Sequence, residues 1–159
     1  MTYAECLSRV ARADESAYRE CLRRWDAVAK PLHSLGLLET LTARMAAVQR
    51  TPVPHAAKKR VLVFCADNGV VAEGVTQSDA SVTAAVAAAL AGGSSNVNIM
   101  ARSAGADVVA YDVGMATDVA HPNLRRVKCA YGTANLARGP AMTREQAVFA
   151  LEAGINAAA

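Results

Sequence analysis

The sequence predicts an α/β protein: a doubly wound parallel sheet, incomplete as it stands, with an N-terminal helical piece. Three observations carry that prediction. Val61-Leu62-Val63-Phe64-Cys65-Ala66 is a continuous apolar run, the texture of a strand buried on both faces. Asp107–Gly114 repeats that texture after two helical patterns, which is the strand–helix–strand order of a crossover. Residues 1–54 lack such runs and instead place apolar residues at three- and four-residue steps.

The elements follow in order. Residues 3–29 read as one amphipathic helix striped by Leu7, Val10, Tyr18, Cys21, Leu22, Trp25 and Val28, and Pro31 ends it. A second helix is expected over 34–49, with Ser34 as N-cap and Leu38, Leu41, Met45 and Val48 as its buried stripe. Thr51-Pro52-Val53-Pro54 is a stiff linker, so the expected division is a helical segment over 1–54 and an α/β segment over 55–159. The first strand ends at Asp67-Asn68-Gly69. Helices are expected over 79–90 and 95–103, separated by Gly92-Gly93. The second strand closes with Asp112-Val113-Gly114, and a short third strand is expected near 126–130. Thr143-Arg144-Glu145-Gln146 has capping-box form and starts a helix striped by Val148, Leu151 and Ile155. Two or three strands are fewer than a parallel sheet needs to cover its faces, so the sequence reads as part of a larger domain.

Composition narrows the function classes. The chain has 159 residues, 53% hydrophobic and 19% charged, enough apolar content for a core. Net charge is +3, split as +5 over residues 1–60 and −2 over 61–159. The arginines of the basic part alternate with acids at helical spacing, and no aromatics are interleaved to stack bases, so nucleic acid is not an expected partner. No uninterrupted apolar stretch reaches the roughly 18 residues of a membrane helix, and the N-terminus carries charges throughout. A cytoplasmic protein with free thiols is expected. Cys6, Cys21, Cys65 and Cys129 are scattered, as are His33, His55 and His121, so neither a disulfide framework nor a metal site is expected. The dinucleotide fingerprint, the P-loop and the Gly-x-Ser-x-Gly elbow are all missing, and no cofactor is expected.

Chemistry is expected at the carboxyl ends of the strands, where open α/β sheets bind ligands. Asp67-Asn68-Gly69 and Asp112-Val113-Gly114 both place a carboxylate and a glycine there. A carboxylate can bond a ligand or orient backbone donors, and glycine permits a sharp turn. Glu73-Gly74-Val75-Thr76-Gln77-Ser78 follows as a lid-like loop. Ser78 could cap the next helix, bond a ligand, or do both.

Taken together these segments resemble the nicotinate-nucleotide:dimethylbenzimidazole phosphoribosyltransferase family. The matching stretches are Lys30–Gly36, Phe64–Val75, Ser78 with Val82-Thr83, Asp112-Val113-Gly114, Gly132-Thr133-Ala134-Asn135 and Pro140–Ala147, in family order along nearly the whole chain. The resemblance implies a Rossmann-like sheet domain with a small helical domain, usually in a homodimer. It implies displacement at a sugar carbon: a benzimidazole nitrogen attacks nicotinate mononucleotide and nicotinate leaves. Family members are longer, and the catalytic glutamate and the phosphate-binding glycine loops belong to the part beyond this match. No residue here is therefore assigned as catalytic. The base would lie near Asn68, Ser78, Val82 and Val86, with Asp67, Gly69, Glu73, Gly74, Asp112 and Gly114 shaping the pocket. Partners implied are the two small-molecule substrates and either a second copy or a complementing C-terminal half. Asn68 replaces the family's usual histidine, Ala85-Val86 a Gln-Met pair, and His33 a glycine. The first two departures leave a phenolic or purine ligand open beside benzimidazole.

Overall fold

The computed structural model describes all 159 residues and divides into two compact units. One comprises Met1–Ser8 with Lys58–Ala159; the other is Arg9–Ala57.

The helical unit is built on α2 (Glu15–Asp26) and α3 (Leu37–Gln49). The single helix expected over 3–29 is in fact two, α1 (Tyr3–Arg9) and α2, parted at residues 10–14. Asp14 causes the break: its carboxylate accepts from the Ser16 and Ala17 amides at 2.8 and 3.1 Å, an N-cap that fixes where α2 begins. The Asp14 amide in turn donates to the Ala47 carbonyl near the end of α3, at 3.0 Å. Cys21, Ala43 and Ala46 form the centre, with Tyr18, Leu22 and Trp25 packed around it. The indole of Trp25 donates to the Thr42 hydroxyl at 2.8 Å.

Two expectations fail on α3. It starts at Leu37 after Gly36 (φ +54), so Ser34 caps nothing. The expected stripe of Leu38, Leu41, Met45 and Val48 faces outward, and the buried residues are Glu39, Ala43, Ala46 and Ala47. Small side chains let two helices approach closely, and that close face is the one α2 covers.

The α/β unit holds β1 (Lys59–Ala66), a 3-10 turn (Gly69–Glu73), α4 (Ser81–Ala91), α5 (Asn96–Ser103), β2 (Ala106–Gly114), β3 (Leu124–Arg126) and α6 (Arg144–Ala158). The strands form one parallel sheet in the order β1-β2-β3. Val63 pairs with Ala110 and Cys65 with Asp112; the register shifts between Cys65 and Ala66. The third strand is shorter and earlier than the expected 126–130. It ends at Arg126, and the Val127 amide still reaches the Asp112 carbonyl at 2.9 Å.

Alternation along the strands gives the sheet two unlike faces. On the first, Val63, Cys65, Val108, Ala110 and Leu124 pack with Ala87, Leu90, Ala91 and Val97 of α4 and α5. On the second, Phe64 and Tyr111 stack with ring centroids 5.3 Å apart. There α6 brings Phe149, Glu152 and Asn156 beside Tyr111 and Arg125. The first residues of the chain join α6, with the Tyr3 amide donating to Glu152 at 2.9 Å.

Within Ser81–Ser103, 23 residues, a window of 18 reaches a mean hydropathy of 1.2, enough by length and composition for a membrane span although the apolar run is interrupted. They are α4 and α5, separated by a break at Gly92–Ser95 where Ser95 and Asn98 form a capping box. The four cysteines are free.

Candidate functional site

The strand ends form a stitched group of loops. β1 and β2 run side by side; Asp67 follows β1, and Asp112 lies within β2, two residues before its end. Asp112 is fully buried. Its Oδ1 accepts from the Gly114 and Met115 amides at 3.2 and 2.9 Å, and its Oδ2 lies 2.9 Å from the Lys128 ammonium. Lys128 also bonds Asp118 at 2.8 Å and the Met115 carbonyl at 3.1 Å, with its Nζ 4.3 Å from the Tyr131 ring centroid. Burial opposes the charge on Lys128, but bonds to Asp118 and Asp112 outweigh it and raise the ammonium above its ordinary pKa. The Asp118 carboxyl is held low by its bonds from Lys128 and then Tyr131.

Asp67 does similar work nearer the surface. Its Oδ2 accepts from the Ala116 amide at 2.7 Å, its amide donates to the Gly114 carbonyl at 3.0 Å, and its carbonyl accepts from Thr133 at 3.0 Å. Both strand-end carboxylates are thus committed to orienting backbone. Gly69 is needed where it stands: a Cβ there would lie 2.6 Å from the Thr133 carbonyl oxygen and 2.8 Å from the Asn135 nitrogen. Glu73 completes the stitching, accepting from Asn135 at 2.6 Å and Arg138 at 3.0 Å. Gly74 ends the 3-10 turn at φ +71.

Among these loops lies a cavity of about 130 Å³, lined mainly by apolar groups, with Asn68, Gly114, Cys129, Thr133, Met142 and Gln146 on its wall. Ligand sites usually occupy about 300–1,000 Å³, so this cavity is the size of part of a site. Burial and then the Asp112 and Asp67 charges push the Cys65 thiol up, which favours its protonated form.

The expected site residues separate into two groups. Asn68 and Gly114 line the cavity, while Asp67, Gly69, Glu73, Gly74 and Asp112 build the loops around it. Ser78, Val82 and Val86 lie apart from it. Ser78 is exposed, its hydroxyl 3.4 Å from that of Thr76. It does not cap α4; Asp79 accepts from the Ser81 amide at 2.9 Å instead. Val82 and Val86 sit one turn apart on α4, 45% and 47% exposed. Sequence reading missed Lys128, Thr133, Met142 and Gln146. Thr133, Met142 and Gln146 lie in stretches that carry the family resemblance, but nothing in the sequence marked them as cavity residues, and nothing marked Lys128.

In the helical unit, Asp26, His33 and Glu39 bring one ligand atom each within 4.8 Å of the others. The Lys30 ammonium lies 2.8 Å from Glu39 and already supplies the cation.

A parallel sheet whose strand ends carry paired Asp-x-Gly turns around a small apolar cavity places the chain in the class of α/β proteins that bind ligands at the carboxyl ends of their strands. A family model described as a phosphoribosyltransferase matches residues 10–159. The curated relatives are nicotinate-nucleotide–dimethylbenzimidazole phosphoribosyltransferases. That of Desulforamulus reducens is 42% identical over 96% of this chain and 44% of its own length. That of Ruminiclostridium cellulolyticum is 37% identical over 98% of this chain and 44% of its own. A crystal structure of the Thermus thermophilus enzyme superposes with a TM-score of 0.80 at 39% identity, covering 89% of this chain and 43% of that one. The chain belongs to the nicotinate-nucleotide–dimethylbenzimidazole phosphoribosyltransferase family. It spans about 44% of the length of the curated relatives it matches.

Proposed function

We propose that the chain supplies the N-terminal part of a phosphoribosyltransferase that moves phosphoribose from nicotinate mononucleotide to 5,6-dimethylbenzimidazole or a related base. The product would be α-ribazole phosphate, the lower-ligand nucleotide of cobalamin. One observation carries this: similarity to the relatives runs through nearly all of this chain, including every strand-end loop that walls the cavity. In this reading Asn68, Ser78, Val82 and Val86 contribute to holding the base, in a cytoplasmic enzyme. The catalytic carboxylate and the phosphate loops belong to the remaining family length, which this match does not cover, and the working enzyme is a homodimer or is completed by a C-terminal half. Holding two rings in line saves association entropy, and a general base sharpens a weak nucleophile.

The test is product formation from nicotinate mononucleotide and dimethylbenzimidazole, followed by chromatography. The chain alone is expected to give none. Joined to the remaining family length it is expected to turn over. Turnover by the chain alone would place the catalytic base inside these residues and overturn the assignment.

A second reading, a base-binding module without catalysis, draws on the cavity being walled by this chain's own residues. It requires calorimetric binding of benzimidazole to the chain by itself.

A further inference from the structure

The Lys128 ammonium has more partners than it has hydrogens. Its three N–H groups face four oxygens and a ring: Asp118 Oδ1 at 2.8 Å, Asp112 Oδ2 at 2.9 Å, the Met115 carbonyl at 3.1 Å, the Thr117 carbonyl at 3.5 Å and the Tyr131 centroid at 4.3 Å. Some of these must share a hydrogen or do without one, whereas a cation attracts them all at once. The oxygens surround the nitrogen as they would surround an ion stripped of its water. The charges fit that arrangement. Two carboxylates meet one ammonium, and Asp112 Oδ2 is buried with no donor directed at it apart from that charge.

The buried lysine of the helical unit shows what a plain ion pair looks like. Lys30 meets Glu39 alone, with the Trp25 ring 5.9 Å away and no carbonyl bonded to its ammonium. Around Lys128 the partners come from separate stretches of chain: Asp112 from β2, Met115, Thr117 and Asp118 from the loop behind it, and Tyr131 from the segment after β3. Asp112 is also fixed without the lysine. Its Oδ1 accepts from the Gly114 and Met115 amides at 3.2 and 2.9 Å, so Oδ2 stays aimed at the same point.

We propose that these oxygens and the Tyr131 ring form a binding site for a small monovalent cation, a primary ammonium ion above all, in which Lys128 is a tethered occupant. Where the tether is missing, a free ion of that class fills the same place. The drive is the buried Asp112 carboxylate, which is strongly unfavourable when left unpaired. The donor set selects the class. An aromatic face attracts organic ammonium ions. Calcium takes about six to eight oxygens and magnesium a near-ideal octahedron, and an oxygen set capped by a ring offers neither. In the native chain one charge thus gathers the loop after β2 and the segment after β3 without drawing an ion from solution. The site stands whichever reaction the complete enzyme catalyses.

Chemical rescue tests this on the 159-residue chain. Lys128→Ala vacates the centre of the cage; Lys128→Met removes the same charge but keeps the space filled. Urea unfolding is followed for each over a methylammonium chloride series, with tetramethylammonium chloride holding ionic strength constant. Methylammonium is expected to recover at least about half of the midpoint that Lys128→Ala loses, as a ligand of the folded state alone does. The native chain, Lys128→Met and Lys30→Ala are expected not to move. If Lys128→Ala does not fold by itself, methylammonium is expected to restore a cooperative transition. Equal recovery in Lys128→Met or Lys30→Ala is a general salt effect and overturns the proposal. An alanine variant that loses nothing, or that stays unrestored at every methylammonium concentration, overturns it as well. Recovery by calcium chloride in place of methylammonium makes the site divalent and does the same.

Discussion

Each unit contains a lysine that is almost wholly buried against a buried carboxylate. Lys30 meets Glu39 at 2.8 Å in the helical unit, and Lys128 meets Asp112 at 2.9 Å in the α/β unit; both lysine side chains are 12% exposed. Their surroundings differ. Lys30 has a single carboxylate and the Trp25 ring 5.9 Å away, and Glu39 has the Leu35 amide behind it at 3.1 Å. Lys128 has two carboxylates, a backbone carbonyl and a closer ring. A buried ion pair offsets its desolvation only when further hydrogen bonds complete it. The first pair closes a connection between helices. The second holds the loop after β2 to residues 128–131 and so maintains the walls of the cavity.

The sharpest way to break that contrast is to remove each lysine. Lys128→Met strands the fully buried Asp112 and is expected to cost about 3–5 kcal/mol in urea unfolding. Lys30→Met is expected to cost less, and equal losses would erase the distinction. Next comes Gly69→Ala, which drives a methyl into backbone that cannot move aside and is expected to cost about 1–3 kcal/mol by the same measurement.

The pH dependence sharpens the comparison. The Glu39 carboxyl is held below its ordinary 4.5, chiefly by its bond from Lys30, with burial opposing; Asp118 is likewise held below 3.8. Both contributions are present at neutral pH and are lost as pH falls below those values, because the unfolded chain takes up protons first. Lys128 is raised above 10.5, so its contribution is present below that value and lost as pH rises through the higher folded one. Thermal melts should therefore show acid sensitivity in both units, and in the α/β unit an alkaline loss that Lys128→Met reduces. The smallest effect is at His33, which sits at φ +58 without being glycine. His33→Gly relieves a left-handed backbone worth roughly 1–2 kcal/mol but frees the unfolded chain. A net stabilisation under about 1 kcal/mol is expected.

The strands β1 and β2 and the start of α6 were legible in the sequence because their signals are local: an apolar run, a closing Asp-x-Gly, and Thr143 placed three residues before Gln146. Asp14 was a local signal too, masked by an apolar stripe that continues through it. The burial of α3 was not legible, because amphipathy reveals which face is more apolar and not which face a partner covers. Here the alanines pack inward while Leu38 and Leu41 stay exposed. Of the site, the strand-end carboxylates and glycines were readable. Lys128 and Gln146 were not, since they reach the cavity region only through chain contacts far apart in sequence.

The open side of β1 bears on handling the protein. Along the eight residues of β1 the main-chain groups that face away from β2 have no strand partner, and with their apolar flank they form a template for lateral stacking, guarded only at the start by Lys59 and Arg60. Concentrated solutions of the chain by itself should therefore gel or precipitate as β-rich aggregate, and dilution or an early-added binding segment should keep it colloidally stable.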